Sequence, residues 1–391
     1  MDPLQNPFSP GAGSRPPELA GRDDIMEQAQ IALGRIIIGR NAQSQILLGL
    51  RGTGKTVLLN EIQTFAEEKN YLTSFVEAPE NKTLAEMLYP QMRQVLRKLS
   101  SIEGARIAAN AALSGLRNFA SVFHIAVGGV EIGVEPTPGS ADSGDLEFDL
   151  TEMFILIGEA AKLAGRGWAL LIDEVQYLKN EELAAIIVAV HRIGQKNLPI
   201  IVVAAGLPQI AKLSGDAKSY SERLFTYPSV GALENSAAIE AIQNPLLKEG
   251  VSIDDDALER ILEKTAGYPF FIQEWGHHSW NVAQGDPVTL ANVDKASELA
   301  LARLDEGFFK VRMDRLTNAE VNYVNAMAEL GSGPYKSTDV AESLGKDPSA
   351  LGPRRASIIS KGMIYSPNYG EVDFTVPLFD DFLRRRLGEQ N

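Results

Sequence analysis

The sequence predicts an α/β fold: a P-loop type parallel sheet with helices on both faces, followed by a helical lid and a winged-helix domain. Strand-like and helix-like runs alternate regularly over residues 16–233, which is typical of parallel sheets. The strand-like run at 168–172 has no polar face and suits the middle of such a sheet. Over residues 234–300 the pattern becomes entirely helical, which indicates that separate parts follow the sheet.

The elements follow one another in a simple order. Residues 1–15 are rich in Pro, Gly and Ser and predict a flexible tail. An entry segment and helix occupy 16–43. Apolar periodicity then predicts strands at 45–49, 71–78, 168–173 and 199–205 and helices at 55–69, 81–99, 146–165 and 180–194. Alternating apolar residues around Gly128-Gly129 indicate a hairpin insertion at about 122–135.

Composition excludes several classes of protein. With 391 residues and 45% hydrophobic content, the chain is expected to fold as two or three globular domains. It contains no cysteine, which excludes disulfides, thiolate zinc sites and cysteine nucleophiles. The adjacent His277 and His278 lie in what reads as a packed helix, so a metal role is not expected there. No apolar run approaches the ~18 residues of a membrane span and no signal peptide is evident, so a cytoplasmic location is expected.

The charge is unevenly distributed along the chain. The formal net charge is −14, which argues against a general nucleic-acid coat. From Lys310 to the end the sequence holds 11 basic and 11 acidic residues, so the whole acidic excess precedes residue 310. This change in charge indicates a domain boundary near residue 310.

A phosphate-binding loop follows the apolar run Ile46–Leu48. Residues 49–56 read GLRGTGKT and fit the pattern of Gly, four residues, Gly, Lys and Ser/Thr before a helix. Glycine-rich backbone and the helix start hold phosphate, Lys55 reaches the terminal phosphates and Thr56 ligates Mg²⁺. The alternative is an ordinary glycine turn. The residues expected to hold nucleotide are Gly49, Gly52, Thr53, Gly54, Lys55, Thr56 and Val57.

An acidic pair ends the buried strand-like run at 168–172. Asp173 and Glu174 come where α/β folds bind ligands, at the carboxyl end of a strand. Asp173 is expected to hold Mg²⁺ and Glu174 to orient and deprotonate the attacking water. The alternative is that both residues favour the dipole at a helix N-terminus. The phosphate loop about 120 residues upstream favours the nucleotide site.

Residues 234–305 predict the helical lid. Asp254-Asp255-Asp256 precedes an apolar run and indicates a helix N-terminus rather than a metal cluster.

Residues 310–391 predict the winged-helix domain, with three helices, a strand pair turning at 368–370 and a closing helix. The third helix of such a domain normally enters the DNA major groove. It offers Ser349, Arg354, Arg355, Ser357 and Lys361. Because the segment is neutral, docking to protein or to another part of the chain remains open beside DNA contact. Arg384-Arg385-Arg386 can also complement the C-terminal dipole of the last helix.

Together these motifs resemble the AAA+/STAND group of P-loop ATPases, and in particular bacterial and archaeal ATPases related to origin-recognition initiators. The resemblance implies ATP and Mg²⁺ as ligands, with Lys55 and Glu174 as catalytic residues. The box Pro17–Arg22 resembles the segment that contacts adenine, which implicates Gly21 and Arg22. The run 219–230 resembles the segment carrying an arginine finger, which maps onto Arg223. The run 267–269 resembles the Gly-x-Pro lid motif, which implicates Pro269.

Two departures from the pattern suggest slow hydrolysis. The strand 199–205 ends in Ala204-Ala205-Gly206, where a polar residue usually orients water, and the lid motif lacks the arginine of initiators. The expected function is therefore a switch that couples nucleotide state to duplex DNA through the winged helix. The alternatives are a STAND-type signalling ATPase that docks protein and an ATP-binding scaffold with little turnover. Arg223 implies self-assembly because an arginine finger in trans acts on a neighbouring subunit.

Overall fold

The computed structural model describes residues 1–11, 13–78, 82–125 and 139–390. Contacts divide the chain into two compact units. The first, called here the sheet unit, comprises Asp23–Gly49 and Lys55–Ser229. The second, called the helical unit, comprises Met1–Arg22, Leu50–Gly54 and Val230–Asn391. The tip of the phosphate loop, Leu50–Gly54, therefore groups with the helical unit by its contacts.

In its described residues the sheet unit contains five strands and eight α-helices. In chain order they are α1 (Asp23–Ile37), β1 (Ser44–Leu48), α2 (Lys55–Glu68), β2 (Tyr71–Glu77), α3 (Leu84–Ser100), α4 (Arg106–Val122), α5 (Leu146–Leu163), β3 (Gly167–Asp173), α6 (Asn180–Gln195), β4 (Ile200–Gly206), α7 (Ile210–Ala217), α8 (Ser221–Leu224) and β5 (Phe225–Thr226).

The five strands form one parallel sheet in the order β2-β3-β4-β1-β5. The sequence predicted a parallel sheet but neither this order nor β5. Strand β4 lies between β1, which leads into the phosphate loop, and β3, which ends at Asp173. The register pairs Ile172 of β3 with Ala204 of β4, and Ala204 with Ile46 of β1. The carboxyl ends of β1 and β3 consequently lie at the same edge of the sheet.

The sheet is covered on both faces. Every residue of β3 and β4 is buried. Trp168, Leu170 and Ile172 belong to a cluster with α3, α4, α5 and α6. Because successive side chains alternate between faces, Ala169 and Leu171 point to the other face, where α2 contacts β2, β3 and β4. This double cover explains why β3 and β4 carry uninterrupted apolar runs.

Two parts of the predicted order differ from the structure. Helix α4 occupies Arg106–Val122, a stretch for which the sequence analysis assigned no element. The helix predicted at 81–99 begins at Leu84, because Thr83 forms a capping box with Glu86. The predicted hairpin insertion, at about 122–135, lies mostly outside the described residues, since only positions 122–125 precede the undescribed stretch.

The helical unit contains nine helices and three short strands in its described residues. They are α9 (Asn235–Lys248), α10 (Asp255–Thr265), α11 (Pro269–Val282), α12 (Leu290–Arg303), α13 (Lys310–Met313), α14 (Asn318–Glu329), β6 (Tyr335–Lys336), α15 (Ser337–Ser343), α16 (Pro348–Ser360), β7 (Ile364–Tyr365), β8 (Glu371–Phe374) and α17 (Phe379–Gln390).

One hydrophobic cluster runs through this unit, from the fully buried Trp275 and Phe271 of α11 to Phe309 and Phe379. A single π-helical turn, Leu304–Phe309, joins α12 to α13. The strands β6, β8 and β7 form an antiparallel sheet in that order. Helix α10 starts at Asp255, so the acidic run at 254–256 marks a helix N-terminus as predicted.

The first nine residues pack on α11, which differs from the flexible tail predicted for residues 1–15. Phe8 is buried, and its ring lies against Gly276. The Asn6 side-chain amide donates to the His277 carbonyl at 3.0 Å, and the Ser9 N–H donates to Gln273 at 3.1 Å.

Among the described residues, no helix has the length and apolar character needed to cross a membrane.

Candidate functional site

The phosphate loop lies between the end of β1 and the start of α2. Gly52 and Gly54 have φ angles of 82° and 94°, which side chains with a Cβ rarely adopt. No heavy atom lies within 4 Å of the place where a Cβ of Gly54 would be, so this side of the loop is open. Lys55 is buried at the first position of α2, and its Nζ donates to the Gly49 carbonyl at 3.0 Å. Val57 packs in the core of the sheet unit behind the loop.

Thr56 and Asp173 meet across the sheet. The Thr56 hydroxyl donates to Asp173 Oδ2 at 2.5 Å. The structure thus brings together two groups that lie 117 positions apart in the sequence. It does so because β1 and β3 end at the same edge of the sheet. A hydroxyl and a carboxylate oxygen are both ligands that Mg²⁺ prefers.

Burial raises the pKa of Asp173 above its ordinary value, and the neighbouring Glu174 carboxylate raises it further. The hydrogen bond from Thr56 and the charge of Lys55 oppose this rise. The ionised carboxylate is therefore disfavoured in the protein alone. A divalent cation at Asp173 would offset that unfavourable term because it stabilises the ionised form.

Glu174 has a left-handed backbone, with φ 55° and ψ 37°. For a residue other than glycine this conformation costs about 1 kcal/mol or more, and such strain concentrates at functional sites. Its carboxylate Oε2 accepts a hydrogen bond from the Gln176 side-chain amide. The Gln176 Oε1 in turn accepts from the Leu207 N–H at 3.2 Å, just past the end of β4.

Gln176 is a site residue that the sequence analysis missed. A polar side chain was expected at the end of β4, but the residues there are Ala204-Ala205-Gly206. The polar group comes instead from the turn after β3 and is fixed by the backbone after β4. No sequence motif identifies Gln176, and the signal that could have suggested it is its position two residues after Glu174.

The donor set fits a magnesium-bound nucleotide. Within the sheet unit, Lys55 is a buried lysine, and the Thr56 hydroxyl contacts the buried Asp173 carboxylate. A polyphosphate with Mg²⁺ requires a cation, a hydroxyl and a carboxylate of this kind. Thr56 and Asp173 would hold the metal, which when bound would neutralise charge on the phosphates.

The predicted adenine box and lid motif both lie in the helical unit. Gly21 lies against Ala237 of α9, and Arg22 is buried. The Arg22 guanidinium donates to the carbonyls of Thr53, at 3.3 Å, and Gly231. Pro269 is the first residue of α11 and is half-buried. Arg22 is thus in contact with the phosphate loop itself.

The structure does not bring Arg223 to the other site residues of the same chain. Arg223 is exposed in α8, just before β5, and its carbonyl accepts from Gln43 at 3.1 Å. Since β5 is parallel to β1 and pairs with the start of β1, Arg223 lies at the amino edge of the sheet. Lys55 and Asp173 lie at the carboxyl edge.

The five side chains proposed for DNA contact have different surroundings in α16 and just after it. Arg355 donates to the Ser337 hydroxyl at 2.9 Å, Ser357 donates to Glu320 at 2.7 Å, and Lys361 pairs with Glu320 at 2.6 Å. Asp347 caps the start of α16, and its carboxylate accepts hydrogen bonds from the N–H and the hydroxyl of Ser349. Arg354 is half-buried, and no hydrogen bond or ion pair of its side chain is found within the described part of the chain.

Comparison with protein families identifies two regions. Residues 18–203 match a family model described as an AAA ATPase domain. Residues 306–383 match one described as a domain of unknown function. Among curated proteins, no sequence matches this chain. The first match agrees with the phosphate loop, the acidic pair and the order of the strands.

Solved structures show a similar fold. A Walker-type ATPase of Pyrococcus abyssi is 17% identical with a TM-score of 0.59, and the match covers 96% of this chain and 99% of that one. The RuvB Holliday junction branch migration motor of Thermotoga maritima is 17% identical with a TM-score of 0.46, covering 95% and 99%. The ORC1 protein of Aeropyrum pernix, solved with DNA, is 16% identical with a TM-score of 0.46, covering 96% and 96%. At these identities the likeness concerns the fold alone.

Proposed function

We propose that this chain, which carries an AAA ATPase domain, binds ATP with Mg²⁺ and hydrolyses it slowly as a switch in the cytoplasm. The contact of Thr56 with Asp173, beside Lys55 and Glu174, carries this proposal. Lys55 leaves the Gly49 carbonyl to bind the terminal phosphates. Glu174 accepts the proton of the attacking water while the loop amides hold the phosphates.

Slow turnover is supported by the surroundings of Glu174. Gln176 donates to one oxygen of the Glu174 carboxylate and is itself fixed by the Leu207 N–H. The end of β4 offers only Ala204, Ala205 and Gly206. Without a polar side chain from β4, the attacking water has one orienting group fewer, so turnover is slow.

Lys55→Ala tests nucleotide binding directly. We expect the affinity for a fluorescent ATP analogue to fall at least tenfold, because the buried ammonium is the loop's charged contact to phosphate. The matched control is Lys69→Ala, an exposed lysine just after the same helix, which should bind as the parent does. If the Lys55→Ala protein bound the ATP analogue as tightly as its parent, this result would contradict the proposal.

Glu174→Gln tests turnover separately from binding. We expect phosphate release to fall by about a hundredfold or more, with nucleotide affinity retained, because the amide cannot accept the proton. If the parent chain already shows no turnover, the chain is an ATP-binding scaffold. Unchanged turnover in the variant would contradict the role of Glu174.

We further propose that the region 310–391 folds as a winged helix whose partner depends on nucleotide state. Its three helices, antiparallel strands and closing helix support this assignment. The first candidate partner is duplex DNA, contacted through α16. Binding should then weaken with rising salt and depend on Arg354 and Arg355.

The second candidate, a protein partner in a STAND-type signalling role, is supported by one observation. Arg355, Ser357 and Lys361 are already bonded within the helical unit, and Glu320 accepts from two of them. Size-exclusion chromatography with and without a non-hydrolysable ATP analogue, repeated with duplex DNA, separates the candidates. Nucleotide-dependent assembly without DNA binding supports the second candidate, and salt-sensitive co-elution with DNA supports the first.

A further inference from the structure

The first five carbonyl groups of the phosphate loop accept hydrogen bonds. Within the loop, Lys55 donates to Gly49 at 3.0 Å and the Thr53 hydroxyl donates to Leu50 at 3.0 Å. The next three carbonyls have partners from elsewhere in the helical unit. Five consecutive carbonyls, from Gly49 to Thr53, are thus held by donors.

The three external donors come from two segments far from the loop in sequence. The Tyr268 hydroxyl donates to the Arg51 carbonyl, and the Phe270 N–H donates to the Gly52 carbonyl at 3.2 Å. The Arg22 guanidinium donates to the Thr53 carbonyl at 3.3 Å. Tyr268 and Arg22 are both buried, so these contacts are shielded from water.

Because the peptide unit is planar, a hydrogen bond that fixes a carbonyl also fixes the direction of the next residue's N–H. In a trans peptide the C=O of one residue and the N–H of the next point in opposite directions. Holding the carbonyls of residues 51, 52 and 53 therefore turns the N–H groups of Gly52, Thr53 and Gly54 to the other side. In the part of the chain that the structure describes, none of these three amides donates to a protein acceptor. The Arg51 N–H, by contrast, donates to the Thr375 carbonyl at 3.1 Å.

Three adjacent amides without acceptors form a concavity suited to an anion. The side of Gly54 is open, so a phosphate group can approach. Burial raises the pKa of the Tyr268 hydroxyl, which keeps it a hydrogen-bond donor over the accessible pH range. Arg22 forms no ion pair among the described residues, so its charge is stabilised by carbonyl oxygens alone.

We propose that Tyr268 and Arg22 are positioning residues that hold three loop amides ready for the phosphates of a nucleoside triphosphate before it binds. The inference rests on the proposed nucleotide site and adds the groups that preorganise it. These side chains act on the loop carbonyls, and the loop amides act on the ligand. Preorganisation raises affinity because the ordering of the loop is completed in the free protein.

Tyr268→Phe removes one hydroxyl and leaves the ring in place. With magnesium and a fluorescent ATP analogue, we expect this variant of the full chain to bind about three- to tenfold more weakly, as for loss of one hydrogen bond. The kcat for ATP should change by less than about twofold, because the reacting groups are intact. Arg22→Lys keeps a charge but loses the planar donor, and we expect a loss in the same range.

Tyr335→Phe is the matched control. Tyr335 is also buried in the helical unit, and its hydroxyl also donates to a carbonyl, that of Gly331, at 2.9 Å. It does not touch the phosphate loop, so its variant should keep the parent's affinity. Hydrogen exchange in the absence of nucleotide gives a second readout. Among residues 51–54 the Arg51 N–H donates to a protein acceptor, so the peptide that reports this amide should exchange faster in Tyr268→Phe and unchanged in Tyr335→Phe.

The outcomes separate this inference from the function on which it rests. If Lys55→Ala weakens binding but Tyr268→Phe and Arg22→Lys bind and exchange as the parent does, the positioning role is wrong and the nucleotide site stands. If Lys55→Ala leaves binding unchanged, the nucleotide site itself is wrong. Equal losses in Tyr268→Phe and Tyr335→Phe would indicate general destabilisation and would also overturn the positioning role.

Discussion

At the scale of single residues, the proposed chemistry depends on the turn after β3. Glu174 adopts a left-handed backbone, and Gln176 connects its carboxylate to the backbone after β4. The end of β4 is Ala204-Ala205-Gly206 and supplies no polar side chain. We therefore propose that Gln176 orients the base.

Gln176→Leu keeps the size of the side chain and removes both hydrogen bonds. We expect kcat for ATP to fall about tenfold, since Glu174 loses the donor that orients it, while ATP affinity stays within about twofold. Steady-state phosphate release and nucleotide titration measure the two quantities. Gln195→Leu, at an exposed position that ends α6, is the control. Faster turnover in Gln176→Leu would show that the hydrogen bond restrains Glu174 instead of orienting it.

The Mg²⁺ dependence of ATP binding should follow the ionisation of Asp173. Because burial raises the pKa of this carboxyl, protons compete with Mg²⁺ for it at pH values above the ordinary pKa of Asp. We expect Mg²⁺ affinity to fall as pH is lowered through that raised pKa, and Asp173→Asn to lose the dependence. Titration with Mg²⁺ at fixed ATP, from the ordinary Asp pKa of 3.8 upward in pH, measures it. A flat profile in the parent chain would contradict the assignment.

At the scale of secondary-structure elements, the sequence predicted most of the strands and helices whose apolar residues recur with a regular period. The strands β1 to β4 and their helices were found within a few positions because buried strands and amphipathic helices have strong local signals. Helix α4 was missed because Ala, Gly and Ser fill much of it and weaken the apolar contrast. The packing of Phe8 could not be predicted, since its partner Gly276 lies far along the chain.

The packing of the first nine residues on α11 predicts a contribution to stability. Phe8→Ala removes a buried ring, and we expect a loss of about 3–5 kcal/mol in the free energy of unfolding. Urea denaturation of the full chain measures it. Leu4→Ala, whose side chain is 94% exposed in the same segment, should have almost no effect. Equal stability of the Phe8→Ala and Leu4→Ala proteins would mean that this segment is not anchored in solution.

The start of α14 carries a carboxylate that should make stability depend on pH. Burial alone would raise the pKa of Glu320, but hydrogen bonds from Lys361, Ser357 and Thr317 outweigh it and lower the pKa to about 2. Because its pKa is lower in the folded protein, Glu320 stabilises the fold at pH values above 4.5, the pKa in the unfolded chain. This stabilisation is lost as the pH falls from 4.5 towards 2. The contribution is at most about 3 kcal/mol.

Glu320→Gln tests that dependence. At neutral pH the variant should be less stable than the parent, and the difference should shrink steadily below pH 4.5 as the parent's carboxylate is protonated. Urea denaturation across this pH range measures it. Glu329→Gln, an exposed residue at the end of the same helix, serves as the control. A difference that stays constant with pH would exclude the ion pair as its source.

At the scale of the whole molecule, the site residues divide into a group that the structure brings together and others that it keeps apart. The spacing of the motifs predicted the meeting of Thr56 and Asp173 because parallel strands share a carboxyl edge. The donors Tyr268 and Arg22 were not predicted as contacts of the loop, since no local pattern reports which carbonyl a distant side chain reaches. Arg223 lies at the opposite edge of the sheet from Lys55.

The position of Arg223 predicts that turnover depends on concentration. If the arginine acts on a neighbouring chain, specific ATPase activity should rise with protein concentration and Arg223→Ala should abolish that rise. Nucleotide affinity at low concentration should not change. Arg192→Ala, on exposed surface of α6, is the control. A specific activity that is independent of concentration in the parent chain would exclude a role in trans.

The carbonyl contacts of Leu50–Gly54 bear on how the chain can be dissected. A fragment ending at residue 229 would keep Lys55, Thr56, Asp173 and Glu174, and would look by sequence like a minimal nucleotide-binding domain. It would nevertheless lack Tyr268 and Phe270, so two of the loop peptides would be free to rotate. Affinities measured on such a fragment would describe a relaxed loop and would underestimate what the intact chain achieves.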